Sequence, residues 1–227
     1  MSRGDLYQLG SFTMQHPKVI FLDAVGTLIG VKGSVGEVYR NIAQEYGVDA
    51  SPAALNQAFY QCFQAAEPLA FPNTAAAEIP ALEFAWWLDI VTRTFQEVGV
   101  YNQFLDFSSF FADLYAHFAS PDPWFVYPDV EQALENWQRQ GIDLGVLSNL
   151  DSRLYTILQS FNLTPFFKSC TISSEAGAAK PDPHIFAIAL EKHNCAPTEA
   201  WHIGDSYTQD YQAAKASGIK ATWLRRN

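Results

Sequence analysis

From residue 18 onward the chain alternates between short apolar runs and longer stretches whose apolar positions recur every three or four residues. The opening run, Lys18-Val-Ile-Phe-Leu-Asp23, is apolar through its middle and rich in branched and aromatic side chains, which predicts a strand buried on both faces. Similar runs at 142–147, 168–172, 200–203 and 219–224 predict four more strands. Helical spacing fills 128–140, 152–161, 183–193 and 208–217. Strands alternating with helices of this length predict βαβ units, hence an α/β fold with a doubly wound, mostly parallel sheet. Gly141 and Gly218 stand directly before two of these strands, where helix C-caps are expected.

A different pattern occupies residues 31–120. Its apolar periodicity is helical throughout, over 34–46, 52–66, 80–98 and 107–118, and it predicts an inserted all-helical domain. Gly26, Gly30 and Gly33 punctuate one crossing into it, and Ser120-Pro-Asp-Pro123 punctuates the return. The expected organisation is an extension over 1–17, an α/β core from 18–30 and 121–227, and a helical cap over 31–120. Phe59, Tyr60, Phe84, Trp86, Trp87, Phe110, Phe111 and Tyr115 crowd the insert, and their expected place is the core of a small bundle.

Composition narrows the chemistry. The chain has 227 residues, 48% hydrophobic and 17% charged, enough to bury a core. Its formal charge of −10 disfavours nucleic acid and anionic membrane as partners, because both present negative charge. Most of that acidity lies in the insert, where Lys32, Arg40 and Arg93 face ten acidic residues. Cys62, Cys170 and Cys195 are scattered, with no CxxC pair, which fits a reducing compartment rather than a disulfide framework or a structural zinc site. The first residues show no leader pattern and no apolar run reaches the ~18 residues of a spanning helix, so a cytoplasmic location is expected.

In a parallel sheet, ligands bind outside the carboxyl ends of the strands. The first strand ends in Asp23-Ala-Val-Gly-Thr27, the second in Ser148-Asn149, and the fourth in Gly204-Asp205-Ser206 with Asp210 following. After the third comes Glu175-Ala-Gly-Ala-Ala-Lys180-Pro-Asp-Pro, able to return Lys180 to the same rim. Three carboxylates, one ammonium and one hydroxyl are thus expected at one edge. The ordinary alternatives are a helix cap at Asp23, capping by Asp151 and Ser152, and a strand position under the sheet for His202.

Four segments together resemble the motifs of the haloacid dehalogenase-like (HAD) hydrolase superfamily: Phe21-Leu-Asp23-Ala-Val-Gly-Thr27-Leu, Leu147-Ser148-Asn149, Lys180-Pro-Asp-Pro-His-Ile-Phe, and His202-Ile-Gly-Asp205-Ser-Tyr-Thr-Gln-Asp210. The resemblance implies a Rossmann-like core with a helical cap inserted after the first motif. It implies a hydrolase, most simply a phosphatase working through an aspartyl-phosphate on a small phosphorylated metabolite. On that pattern Asp23 is the nucleophile, and Ser148 and the backbone amide of Asn149 hold the non-bridging oxygens. Thr27 belongs to the same substrate-binding set, and Lys180 neutralises nucleophile and phosphate. Mg²⁺ is the implied cofactor, held by Asp23, the carbonyl of Val25 and Asp205, with Asp210 as an indirect partner. Asp23, Asp205 and Asp210 against Lys180 leave a net negative rim, which a divalent cation brings to neutrality.

Val25 departs from the phosphatase pattern, which has an aspartate there to protonate the leaving oxygen. Positioned acid–base catalysis supplies roughly 10²–10⁴-fold, so its loss weighs on alkyl esters and little on aryl or acyl phosphates. Two other readings follow. The pattern Asp-Ala-bulky-Gly-Thr-Leu also resembles the first motif of 2-haloacid dehalogenases, which need no metal but lack the Gly-Asp pair seen at Asp205. A catalytically silent scaffold that binds a partner or metabolite is the other. Phosphonoacetaldehyde hydrolysis needs a Schiff-base lysine, and Lys32 is the insert's only lysine.

Overall fold

A computed structural model describes residues 16–226, and the expected extension over 1–17 falls almost wholly outside them. The described residues divide into two compact units, one of residues 16–30, 69–76 and 126–226, the other of 31–68 and 77–125. Among the described residues, no helix is long and apolar enough to cross a membrane.

The first unit is an α/β layer structure. Strands β1 (Val19–Leu22), β4 (Asp143–Ser148), β5 (Ser169–Ile172), β6 (Ala200–Gly204) and β7 (Lys220–Trp223) form one sheet in the order β5-β4-β1-β6-β7. Every pairing is parallel. The central position of β1 explains its unbroken apolar run, for all four residues are fully buried. Val19 and Phe21 pack with Ile185, Phe186 and Ala189 of α8 (Pro183–Lys192), in a cluster that includes Ala213 and Ala214. Helix α5 (Val130–Arg139) buries Val130, Ala133, Leu134 and Trp137, a one-sided stripe at helical spacing. Helices α6 (Arg153–Ser160) and α7 (Ser173–Ala176) complete the connections between β4 and α8.

The second unit is helical: α1 (Val35–Glu45), α2 (Pro52–Ala65), α3 (Ile79–Glu97) and α4 (Phe107–His117). Ser34 and Glu37 form a capping box at the start of α1. Tyr39, Phe59, Phe95, Phe110 and Phe111 are buried together, with Trp86, Trp87 and Tyr115 packed partly against them. Phe95 is a hub, its ring edge-on to Phe104 and Phe110 at 5.2 and 5.1 Å. Tyr60 and Phe84 are partly exposed, their rings edge-on to the buried Phe59 and Phe111 at 5.2 and 4.8 Å, so they stand at the margin of the expected core.

Three features differ from the pattern-based expectation. Strands β2 (Ile29–Val31) and β3 (Trp124–Val126) pair as a two-stranded ribbon that carries both crossings. Each has three residues, too few for a period to show, and Gly30 and Pro123 mask them. Residues 121–125 accordingly group with the helical unit rather than the α/β core. Residues 69–76 of the insert group with the α/β unit, where a Cβ on Gly177 would lie 3.0 Å from the Cα of Pro72.

Candidate active site

Parallel register brings the strand tips level. Leu22 pairs with Val146 of β4 and Ile203 of β6, so Asp23, Ser148 and Asp205 emerge from one edge. Asp23, Ser148 and Lys180 are all buried there. Lys180 Nζ donates to Asp23 Oδ1 at 2.8 Å, to Asp210 Oδ1 at 2.5 Å and to the carbonyl of Leu147 at 3.1 Å. These use all three ammonium hydrogens. The Ser148 hydroxyl donates to the same Asp23 oxygen at 3.0 Å. Asp23 Oδ2 is left without a hydrogen-bond partner among the described residues.

Lys180 is held in place by its backbone. Asn149 Nδ2 donates to the carbonyl of Lys180 and the amide of Lys180 donates to Asn149 Oδ1, both at 2.7 Å. This two-point pairing fixes the loop before α8 onto the tip of β4. Asp210 is fixed as firmly, since its Oδ1 lies 2.9 Å from His202 Nε2 and its Oδ2 accepts from the Ser206 amide at 2.9 Å. The segment after β6 opens as a π-helix (Tyr207–Gln212) before α9 (Ala213–Ala216), with the amide of Tyr211 bonded to the carbonyl of Ser206. The wide turn places Asp210 under the sheet edge instead of on a solvent face.

Charge in this cluster is unbalanced. Burial pulls the Lys180 ammonium down, but Asp210 and Asp23 outweigh it and hold the group charged above its ordinary range. Burial raises Asp210 in turn, and Lys180 with His202 overcomes that and holds its carboxyl well below the usual carboxylate range. Asp23 goes the other way, raised by burial and by Asp210 despite Lys180. Asp205 is pushed up to about 7 by burial and by the neighbouring Asp23 and Asp210. One ammonium therefore does not satisfy three carboxylates.

The surplus marks what the residues could hold. Asp23, Asp205 and Asp210 each bring a carboxylate oxygen within 4.8 Å of the others. Asp205 is exposed, and its carboxylate makes no ion pair and no hydrogen bond to another residue among the described residues. The carbonyl of Val25 likewise accepts no hydrogen bond, whereas that of Ala24 accepts from Leu28 and Ile29. An all-oxygen donor set with surplus negative charge fits a hard divalent cation such as Mg²⁺. Two glycines make the space. Gly26 has φ +87°, and a Cβ there would overlap the Asp205 carboxylate; a Cβ on Gly204 would overlap that of Asp210.

The sequence-predicted residues Asp23, Ser148, Lys180, Asp205 and Asp210 thus come together. Thr27 does not join them by hydrogen bonding: it is fully buried and its Oγ1 has no partner among the described residues. Asn149 is at the site, with its side chain spent on Lys180. Val25 offers no titratable group. The pairing of His202 with Asp210 and of the Asn149 side chain with Lys180 had no local signal, because both depend on contacts between separate elements. Within the helical unit, Lys32 donates to the carbonyl of Asp122, Arg40 pairs with Asp49 and Arg93 with Asp89.

Residues 17–218 match the family described as haloacid dehalogenase-like hydrolase. Haloacid dehalogenase-like hydrolase domain-containing protein 3 of Bos taurus is 35% identical over 202 residues, covering 89% of this chain and 79% of its own. YfnB of Bacillus subtilis, in a structure bound to magnesium, is similar with a TM-score of 0.70 at 18% identity, covering 92% of this chain and 89% of its own. L-2-haloacid dehalogenase of Xanthobacter autotrophicus has a TM-score of 0.66 at 19% identity, covering 93% and 78%. The structural likenesses establish the fold.

Proposed function

The chain belongs to the haloacid dehalogenase-like hydrolase family, and from that premise we propose that it is a Mg²⁺-dependent phosphohydrolase using Asp23 as nucleophile on a small phosphorylated substrate. The observation that carries this reading is Asp205, a carboxylate with no ion-pair partner among the described residues, set beside Asp23 in an all-oxygen cluster that Lys180 alone leaves negative. Asp23, Asp205 and the Val25 carbonyl would hold the ion. Asp210, already engaged by Lys180, His202 and Ser206, would act on it indirectly. Mg²⁺ bound there supplies charge neutralisation and polarises the phosphoryl oxygens.

The chain's own residues account for the remaining chemistry. An Asp23 oxygen bonds to phosphorus as the bond to the leaving oxygen breaks, the electron pair departing with that oxygen. Lys180 and Ser148 grip Oδ1, which leaves Oδ2 as the oxygen free to attack. Water then attacks the phosphorus of the aspartyl-phosphate and passes a proton to solvent, and the bond to Asp23 breaks to restore the carboxylate. Lys180, kept charged, stabilises the negative charge gathering on the phosphoryl group. Neither Val25 nor the fully engaged Lys180 delivers a proton to the leaving group. Acyl and aryl phosphates, which depart without one, are therefore the favoured class.

The test is hydrolysis of acetyl phosphate and p-nitrophenyl phosphate with and without Mg²⁺, beside an Asp23→Asn control. Turnover that needs both the metal and Asp23 is expected. A second reading, displacement of halide from a 2-haloacid, is favoured by the inert side chain at Val25. Asp205 weighs against it, because a second free carboxylate would repel the substrate's own. Halide release from 2-chloropropionate without metal would reverse the order.

A further inference from the structure

Arg226 lies beyond β7, yet its side chain is largely buried, with 12% exposure. Its Nη1 pairs with Asp129 Oδ1 at 2.6 Å, its Nη2 donates to the carbonyl of Thr27 at 2.5 Å, and its plane covers the Tyr127 ring at 4.1 Å. Thr27 belongs to the turn that follows the nucleophile. Tyr127 and Asp129 lie just past β3, where the chain re-enters the α/β unit, and the Tyr127 amide donates to the carbonyl of Leu28. One guanidinium therefore ties the nucleophile turn to the returning chain.

The hydrogen-bond pattern of that turn gives the contact a consequence. Gly26 donates to the carbonyl of Ile29 at 2.8 Å, and Leu28 and Ile29 donate to that of Ala24 at 2.8 and 3.0 Å. Arg226 takes the carbonyl of Thr27 and Tyr127 that of Leu28, while the carbonyl of Val25 accepts no hydrogen bond among the described residues. A planar guanidinium reaches the carboxylate and the carbonyl from two separate nitrogens, whereas a lysine at this position brings one nitrogen on a different stem. We infer that Arg226 is a positioning residue that acts through the Thr27 carbonyl, setting the turn that presents Asp23 and the Val25 carbonyl. The inference rests on the reading of Asp23 as nucleophile and adds to it a residue outside the four motifs.

Arg226→Gln and Arg226→Lys test this in the full chain, at a temperature where both are folded by circular dichroism. For Arg226→Gln, kcat on acetyl phosphate is expected to fall about tenfold with KM little changed. Calorimetric affinity for Mg²⁺ alone should fall about tenfold. Amide exchange should quicken at Gly26, Leu28 and Ile29. Arg226→Lys keeps the charge but replaces two donor nitrogens with one and loses the plane over Tyr127, so its kcat should lie between; should the glutamine variant not fold, a lysine variant equal to wild type overturns the inference. A lower melting temperature with unchanged kcat, metal affinity and exchange would mean a merely structural contact and also overturns it. Were wild type to bind Mg²⁺ without hydrolysing acetyl phosphate, the phosphatase reading fails by itself. Weaker metal binding and faster exchange in Arg226→Gln would then still support the positioning role, and their absence would overturn it.

Discussion

Removing the Lys180 ammonium should unbalance the site more than any other single change. In Lys180→Met, Asp23 and Asp210 lose a shared buried partner, and the carbonyl of Leu147 loses a donor. Breaking a buried ion pair by deleting one member costs about 3–5 kcal/mol, since the charge left behind has no compensation. Asp210 keeps His202 and the Ser206 amide, and Asp23 keeps Ser148, which places the loss near the lower end, about 3 kcal/mol. For a chain of this size each kcal/mol lowers the melting temperature by about 2–4 °C, so a fall of about 6–12 °C is expected. The assay is urea and thermal unfolding followed by circular dichroism, in EDTA so that no divalent ion replaces the lost charge. A second substitution, Asp23→Asn, should recover part of the loss in Lys180→Met, a coupling between the two positions that only neighbouring charges produce. A loss below about 1 kcal/mol, or additive effects in the double variant, would refute the electrostatic reasoning.

Further consequences can be checked separately. Gly26→Ala forces a left-handed φ on a residue with a Cβ, about 1–2 kcal/mol, and drives that Cβ into Asp205, so calorimetry should show Mg²⁺ affinity reduced about tenfold. Val25→Asp should raise kcat/KM for an alkyl phosphate more than for p-nitrophenyl phosphate, with up to about 10²-fold or more available from a positioned acid. Burial pushes the Cys170 thiol up to about 12 and also raises Cys195, while Cys62 is buried, so native protein should react slowly with a thiol reagent and all three should react after denaturation.

What the sequence disclosed followed from burial. Strand β1 was legible because both faces of Val19–Leu22 are covered, leaving no polar position to blur the run. The five parallel strands and the rim carrying Asp23, Ser148, Lys180 and Asp205 follow from the same logic of connection and strand ends. The ribbon of β2 and β3 was not legible, since three residues hold no period and pairing joins segments far apart in the chain. The π-turn after β6 was hidden too: apolar spacing over 208–217 is helical either way, and the wider bonding is set by Ser206 and Asp210. Contacts such as Asn149 with Lys180, 31 residues apart, exist only once β4 and the loop before α8 are assembled. Arg226 is more distant still from Thr27, and nothing near it in sequence marks its role.

The central claim is covalent chemistry at Asp23 on a metal-loaded rim. Acid quenching during acetyl phosphate turnover, followed by peptide mass spectrometry, tests it directly. One phosphoryl group is expected on the peptide containing Asp23, dependent on Mg²⁺ and lost in Asp23→Asn and Asp205→Asn. Steady turnover with no label at Asp23, or labelling undiminished in metal-free buffer, would contradict the account.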